Sequence, residues 1–340
     1  MSRYAMRRAA VCVVACLLTF PARAEDDARA WIERMSESLA TRNYDGLFTH
    51  STGRQAETMR IVHRFDEGKS LERLVSLDGS GREIVRTREE VHAYLPDRRV
   101  VIVEPRGDDG SLLKSLPTPG PALDRNYQLA VGPKGSRLLG REVRVIDVRP
   151  KDIYRYGYRL WLDEETAMPL QSVVTNGIGN PIEVIRFTQL QMKDRIPAHD
   201  IEPTVDATGF QWVRTDRKLA AMPQLPSKGG WRPMRLPPGF RLVASRLQPI
   251  PGSPIPAQHL IFSDGIAAIS VFVEPGARAG PRPPETSSMG SANAYSTSVH
   301  GRVVTAIGEV PAATVREIAT SVVPVEESEV PADAPAGSAR

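Results

Sequence analysis

The chain is nearly devoid of cysteine. It has two, Cys12 and Cys16, in 340 residues, and both precede residue 24. Past that point there is no disulfide framework, no thiol nucleophile and no cysteine zinc site. Long apolar runs are equally scarce. After Ala9–Phe20 no segment reaches the ~18 unbroken apolar residues of a membrane helix. The six histidines (His50, His63, His92, His199, His259 and His300) are scattered, with no pair at metal-binding spacing. No G-x-S-x-G occurs. Ser111 and Lys114 match S-x-x-K, but the chain has no K-T-G or S-D-N box, and the motif lies in a proline-flanked loop. Gly79 and Gly81, like Gly177 and Gly179, read as turn glycines without the helix that a phosphate loop requires. These absences point away from an enzyme and predict neither cofactor nor metal.

What the chain does have begins with an export signal. Arg3, Arg7 and Arg8 precede the apolar run Ala9–Phe20, which is too short to span a bilayer stably. Ala22-Arg23-Ala24 is an A-x-A cleavage site. Residues 1–24 therefore read as a cleaved signal peptide, and the expected location is the periplasm of a bacterium. Cys16 fits a lipoprotein signal loosely, but the apolar Leu17–Phe20 after it argues against lipid attachment. The precursor's 44 basic residues against 40 acidic ones include four signal arginines. Without them the charge balances, and a nucleic-acid partner loses its electrostatic basis. Arginine greatly outnumbers lysine. Its fork suits carboxylates and phosphates, which makes Arg98, Arg99, Arg232, Arg235 and Arg241 candidate anion contacts, although a GC-rich coding bias explains the excess more simply.

The pattern then becomes mostly strand. Ala28–Ala40 places Trp31, Ile32, Met35 and Leu39 on one helical face. Asn43–Gly46 breaks that pattern, and period-two segments follow over 59–65, 71–77, 83–87, 91–95, 100–104, 127–131 and 141–149. The most informative stretch is 158–191: three strands divided by a turn over Glu164–Met168 and a glycine- and asparagine-rich turn over Asn176–Asn180. Short connections favour antiparallel neighbours. The expected class is α+β, mostly antiparallel β. Residues 25–200 form the larger domain, 201–230 a linker, 231–323 a smaller α+β domain, and 324–340 a disordered tail. The smaller domain's clearest unit is a hairpin over His259–Glu274 turning at Asp264-Gly265, with a helix after Pro311.

Certain of these residues carry a resemblance. ERLVSLDGSGREIVRTREEVHAYLPDRRVVIVEP (72–105) and RYGYRLWLDEETAMPLQSVV (155–174) resemble the N-terminal domain of the RseB/MucB family. LPPGFRLV (236–243), FSDGIAAISVFVEP (262–275) and MGSANAYSTSVHGRVVTAIGEVP (289–311) resemble its C-terminal domain. Residues 248–256 and the tail depart from the family pattern. The resemblance implies an N-terminal unclosed β-barrel of the LolA/LolB kind with plug helices. It also implies a negative regulator of the sigma-E (AlgU-type) envelope stress response. Such a protein binds the periplasmic part of a membrane-spanning anti-sigma factor (RseA/MucA type) and shields it from site-1 proteolysis. Lipopolysaccharide or lipoprotein releases it.

On that reading, Trp31, Phe48, Tyr94, Val101, Trp161, Val173 and Phe187 are the candidate lining of a lipid-binding cavity. Phe240, Arg241, Phe262, Phe272 and Tyr295 are the candidate anti-sigma surface. For each of these residues plain core packing is the commoner role. The alternative function, a LolA-like lipid or lipoprotein carrier, needs only the larger domain. A secreted hydrolase lacks any nucleophile–base pair. A homodimer is left open.

Overall fold

The structure, a computed structural model, describes residues 27–106, 116–214, 230–249, 255–274 and 283–325. The expected signal peptide, Ser111 and Lys114, and the tail beyond residue 325 lie outside the described residues.

Helix α1 (Ala28–Thr41) starts where Asp27 accepts a hydrogen bond from the Arg29 N–H, satisfying one of the free donors of the first turn. Its apolar stripe, Trp31, Ile32, Met35 and Leu39, is buried as the spacing predicts. A meander follows: β1 (Tyr44–Thr52), β2 (Gln55–Asp66), β3 (Lys69–Ser76), β4 (Glu83–Arg86), β5 (Glu90–Leu95) and β6 (Val100–Pro105). After the short helix α2 (Pro121–Asn126) comes a second run: β7 (Tyr127–Val131), β8 (Ser136–Leu138), β9 (Arg141–Pro150), β10 (Gly157–Asp163), β11 (Pro169–Thr175) and β12 (Pro181–Met192). Strand β12 returns to pair with β1, with Tyr44 opposite Met192. Strand β13 (Gln211–Arg214) adds in parallel to β6. All thirteen form one mixed sheet running from β13 to β7, with β8 alongside β9, and its two ends are not paired to each other.

Strand β1 was not expected, because Tyr44-Asp45-Gly46 reads as a breaker. The reason for Gly46 is steric. A Cβ there would lie 2.5 Å from the Phe187 ring, so the glycine makes room for an aromatic on the neighbouring strand.

The sheet buries both faces over part of its width. One face packs on α1: Tyr44, Phe48, Met59, Ile61, Leu74, Ile146, Leu160, Leu162 and Phe187 share a core with Trp31, Ile32 and Met35. The other face carries Val62, Val85, Tyr94, Val101 and Val103, covered by Ile196, Ile201, Val205, Ala207 and Phe210. Residues 201–214, expected to be linker, are therefore a strap across the sheet. A buried carboxylate fastens it. Glu83, fully buried, accepts from the Thr204 N–H (2.9 Å) and the Val205 N–H (3.1 Å) and pairs with Arg73. Trp212 stands edge-on to His92 and Tyr94 at 6.1 and 6.2 Å.

The second domain comprises β14 (Trp231–Pro233), β15 (Arg241–Gln248), β16 (Ala257–Ser263), β17 (Ala268–Glu274), β18 (Glu285–Met289), β19 (Ala292–Val299), β20 (Arg302–Gly308), α3 (Ala312–Thr320) and β21 (Val322–Pro324). Six of its strands form an antiparallel sheet ordered β15-β16-β17-β20-β19-β18, while β14 pairs with β21. Helix α3 buries Val315, Ile318 and Ala319 against Leu260, Phe262, Val271, Val304 and Ala306. The hairpin expected at Asp264-Gly265 is present. The Asp264 carboxylate accepts from the Ile266 and Ala267 N–H groups, both at 2.8 Å.

Candidate functional site: the concave face and the domain seam

Among the proposed cavity residues, the structure brings together Trp31, Phe48 and Phe187. The Phe48 and Phe187 rings lie 5.5 Å apart, and half-buried Trp161 packs at the edge of the same cluster. Tyr94 and Val101 lie elsewhere, on the opposite face beneath the strap. Val173 pairs with Arg159 and Val184. Strand alternation therefore turns it away from its neighbour Ser172.

Ser172 does reach the interior. With Leu116, Pro169, Ile185 and Phe187 it lines a cavity of about 10 Å³, the volume of roughly one water. Beside it the α1 side chains Trp31, Ile32 and Met35 share the core with Phe48 and Phe187, and the cavity as it stands is too small for an acyl chain. A more accessible apolar strip lies on strands β4–β6 of the same sheet, separated from β12 by three strands. Ile84, Val91, Ala93, Leu95, Val100 and Ile102 alternate with the strap-covered residues and are half-buried. Sequence reasoning passed over this strip. Its signal was there: β6 is apolar at four successive positions, Val100–Val103, so both of its faces are apolar.

In the smaller domain, Phe262 is core and Tyr295 packs on that core. Arg241 is exposed at the start of edge strand β15, beside Leu242 and Val243, which are about half exposed. Phe272 stacks on His259 at 4.2 Å, on the sheet face away from α3. Burial, with Arg246 alongside, pushes His259 down to about 4.

Phe240 is buried in the same core as Phe262 and also borders the seam between the domains. Arg155, from the β9–β10 loop, is entirely buried. Its guanidinium pairs with Asp264 of the smaller domain, donates to the Pro238 carbonyl at 2.5 Å and to Asp152 at 3.1 Å, and lies 5.2 Å from the Phe240 ring. Tyr156 accepts from the Asn293 amide at 2.8 Å, and the Tyr154 carbonyl accepts from the Thr314 hydroxyl at 3.1 Å. At another point of the seam, Glu183 on β12 accepts from the Ser291 hydroxyl at 2.5 Å while His50 on β1 lies 2.9 Å from its other oxygen. Burial pushes Glu183 up, but the hydrogen bonds from His50 and Ser291 outweigh it and hold the carboxyl below its usual range. The same bond to Glu183 raises His50. Two glycine turns make the approach possible. A Cβ on Gly265 (φ +98°) would lie 2.7 Å from Ala122, and one on Gly290 (φ +61°) 2.9 Å from Thr52.

Among the described residues no cluster of three or more metal-ligating side chains forms, and no helix is long and apolar enough to cross a membrane. What the fold presents is an open sheet with an apolar face, joined through buried polar contacts to a small α+β domain. This is a two-domain, mostly β architecture without an evident catalytic constellation among the described residues.

Comparison with known proteins gives the family. The MucB/RseB N-terminal domain model matches residues 27–205 and the MucB/RseB C-terminal domain model residues 226–323. The chain belongs to the MucB/RseB family. It is 32% identical over 323 residues to the sigma factor AlgU regulatory protein MucB of Pseudomonas aeruginosa, covering 91% of this chain and 94% of that one. It is 29% identical over 336 residues to the sigma-E factor regulatory protein RseB of Salmonella typhimurium, covering 92% and 96%. Among solved structures, the Pseudomonas aeruginosa MucA/MucB complex superimposes with a TM-score of 0.70 at 28% identity, covering 89% of this chain and all of that one. A crystal structure of MucB superimposes at 0.57, also at 28% identity, covering 88% and 98%. The family is regulatory, and this chain is a homologue of sigma-E/AlgU regulatory proteins rather than an enzyme.

Proposed function

We propose that this chain acts in the periplasm as a negative regulator of a sigma-E (AlgU-type) envelope stress response. It binds the periplasmic part of an RseA/MucA-type anti-sigma factor and shields it from site-1 proteolysis until lipopolysaccharide or a lipoprotein releases it. The observation that supports this reading is the match, over 89% of this chain, to MucB solved in complex with MucA. A partner that reads both domains requires their orientation to be fixed, and the buried seam through Arg155 and Glu183 supplies that.

The release step draws on the concave face. The inner sheet has the character of a LolA/LolB-type open barrel, with α1 as its plug. Acyl chains burying against the Ile84–Ile102 strip would gain ~0.8 kcal/mol per CH₂. A signal that binds only the partner-free form at 100 times its Kd shifts the balance by about 2.7 kcal/mol. The alternative, a lipid or lipoprotein carrier, is favoured by the same strip but leaves the second domain without a task.

The test mixes residues 25–340 with the periplasmic segment of the anti-sigma protein encoded beside the corresponding sigma factor, in lipid-free buffer. A stable complex by gel filtration, and slower cleavage of the segment by a site-1 protease, are expected. No complex would overturn the regulator reading. Acyl transfer between vesicles without complex formation would favour the carrier.

A further inference from the structure

The Glu183 junction differs from the rest of the seam. Arg155 carries a permanent charge, whereas the ion-pair partner of Glu183 among the described residues is His50 at 2.9 Å, and histidine titrates near neutrality. Glu183 is 7% exposed, so its charge needs a partner, while the His50 side chain is 31% exposed and can exchange protons with solvent. Glu57 on β2 and Arg82 in the β3–β4 turn act on His50 with opposite signs, and they pair with each other at 2.6 Å. From the smaller domain, Glu309 just after β20 faces both Glu183 and His50, and Ser291 contributes its hydroxyl. Tyr158 on β10 lies within the field of Glu183, Glu309 and Asp264 and stays neutral, its phenol pushed up by burial.

We propose that His50, Glu183 and Ser291 form a pH-sensitive latch between the two domains, closed when His50 is protonated and loosened when it is neutral. In the closed state the imidazolium balances a buried carboxylate that reaches across the seam to Ser291. Loss of that proton leaves Glu183 without its counter-charge and facing Glu309. Because closure favours the charged imidazole, the contribution is fully present below the ordinary histidine range. It fades as pH rises through the raised value of the closed state. Proton linkage gives the size: the closed-to-open ratio changes about tenfold for each unit by which closure raises the His50 pKa. The device would make domain orientation respond to the acidity of the compartment, independently of any lipid signal.

Residues 25–340 contain no cysteine, so spin labels at Asp97→Cys and Glu285→Cys, both exposed positions, report the interdomain distance directly. The expected result is one narrow distance distribution at pH 5.5. A second, broader population should grow at least ~3-fold by pH 8.5, its midpoint following the His50 imidazole signal read by NMR in the unlabelled protein. His50→Gln keeps a donor but no charge, and should show the high-pH distribution at every pH. Ser291→Ala should shift the midpoint to lower pH. A distribution unchanged from pH 5.5 to 8.5, or an equal pH response in His50→Gln, would overturn the latch. An imidazole titrating at or below the ordinary value in the unlabelled protein would do the same without any variant. No partner is present in these measurements, so they stand or fall separately from anti-sigma binding.

Discussion

Replacing Arg155 by methionine should destabilise the protein through the buried charge it strands. The side chain is fully buried, and so is its partner Asp264. Removing one member of a buried pair strands the other, at a cost of about 3–5 kcal/mol. Here the lower half of that range applies. One Asp264 oxygen keeps its two backbone donors, Ile266 and Ala267, so only the oxygen facing Arg155 is stranded. The Pro238 carbonyl also loses its donor. Calorimetry and urea unfolding are the assays. The wild-type domains should melt in one transition, because the seam couples them, and Arg155→Met should split it in two. Adding Asp264→Asn removes the stranded charge while keeping an acceptor for the turn, so the double variant should recover ~1–3 kcal/mol as a coupling energy. A single variant that loses under ~1 kcal/mol and melts in one transition would refute the argument. Strictly additive losses in the double variant would show instead that the two charges do not interact.

The strap, the cavity and the smaller domain each give a further expectation. Ile201→Ala should cost ~2–5 kcal/mol, because Ile201 in the strap is buried against the sheet; a neutral result in urea would mean that the segment is a linker after all. Phe187→Ala should cost about 3–5 kcal/mol and enlarge the small cavity beside Ser172, so uptake of a fluorescent fatty acid should rise; unchanged uptake would move the lipid site away from this pocket. His259, held at about 4 by burial, binds its proton more readily unfolded than folded. Stability of the smaller domain should therefore fall by ~2–3 kcal/mol as pH drops from about 6.5 to 4. Urea midpoints for His259→Gln should lack that slope.

Much of this architecture could be read from the chain. The Trp31, Ile32, Met35 and Leu39 spacing located α1, and Asp264-Gly265 located the hairpin of the smaller domain. Other parts could not be read, for identifiable reasons. Strand β1 was hidden because Gly46 serves Phe187, a residue 141 positions away in sequence and adjacent only in the sheet. The strap shares the aperiodic composition of a linker, and what distinguishes it is a buried carboxylate, Glu83, on another strand. Val101 sits in a strand that is apolar on both faces, so alternation could not say which side meets α1, and Tyr94 shares its face of β5 with Glu90 and His92. Arg155 stands in the polar stretch Lys151–Tyr156, where nothing local signals that its charge is buried against a turn more than a hundred residues later.

The pairing of β1 with β12 has a kinetic consequence. Strands β1–β6 and β7–β12 are each built from near neighbours in sequence, whereas Tyr44 meets Met192 only after both runs exist. Contacts of such long sequence separation are slow to form, because loop closure precedes their reward. The two meanders should therefore assemble early and join late, leaving the edges of β1 and β12 open to foreign strands in the interval. Glu183 and its neighbours on β12 come into place only with that joining, so docking of the smaller domain marks the completion of the larger one.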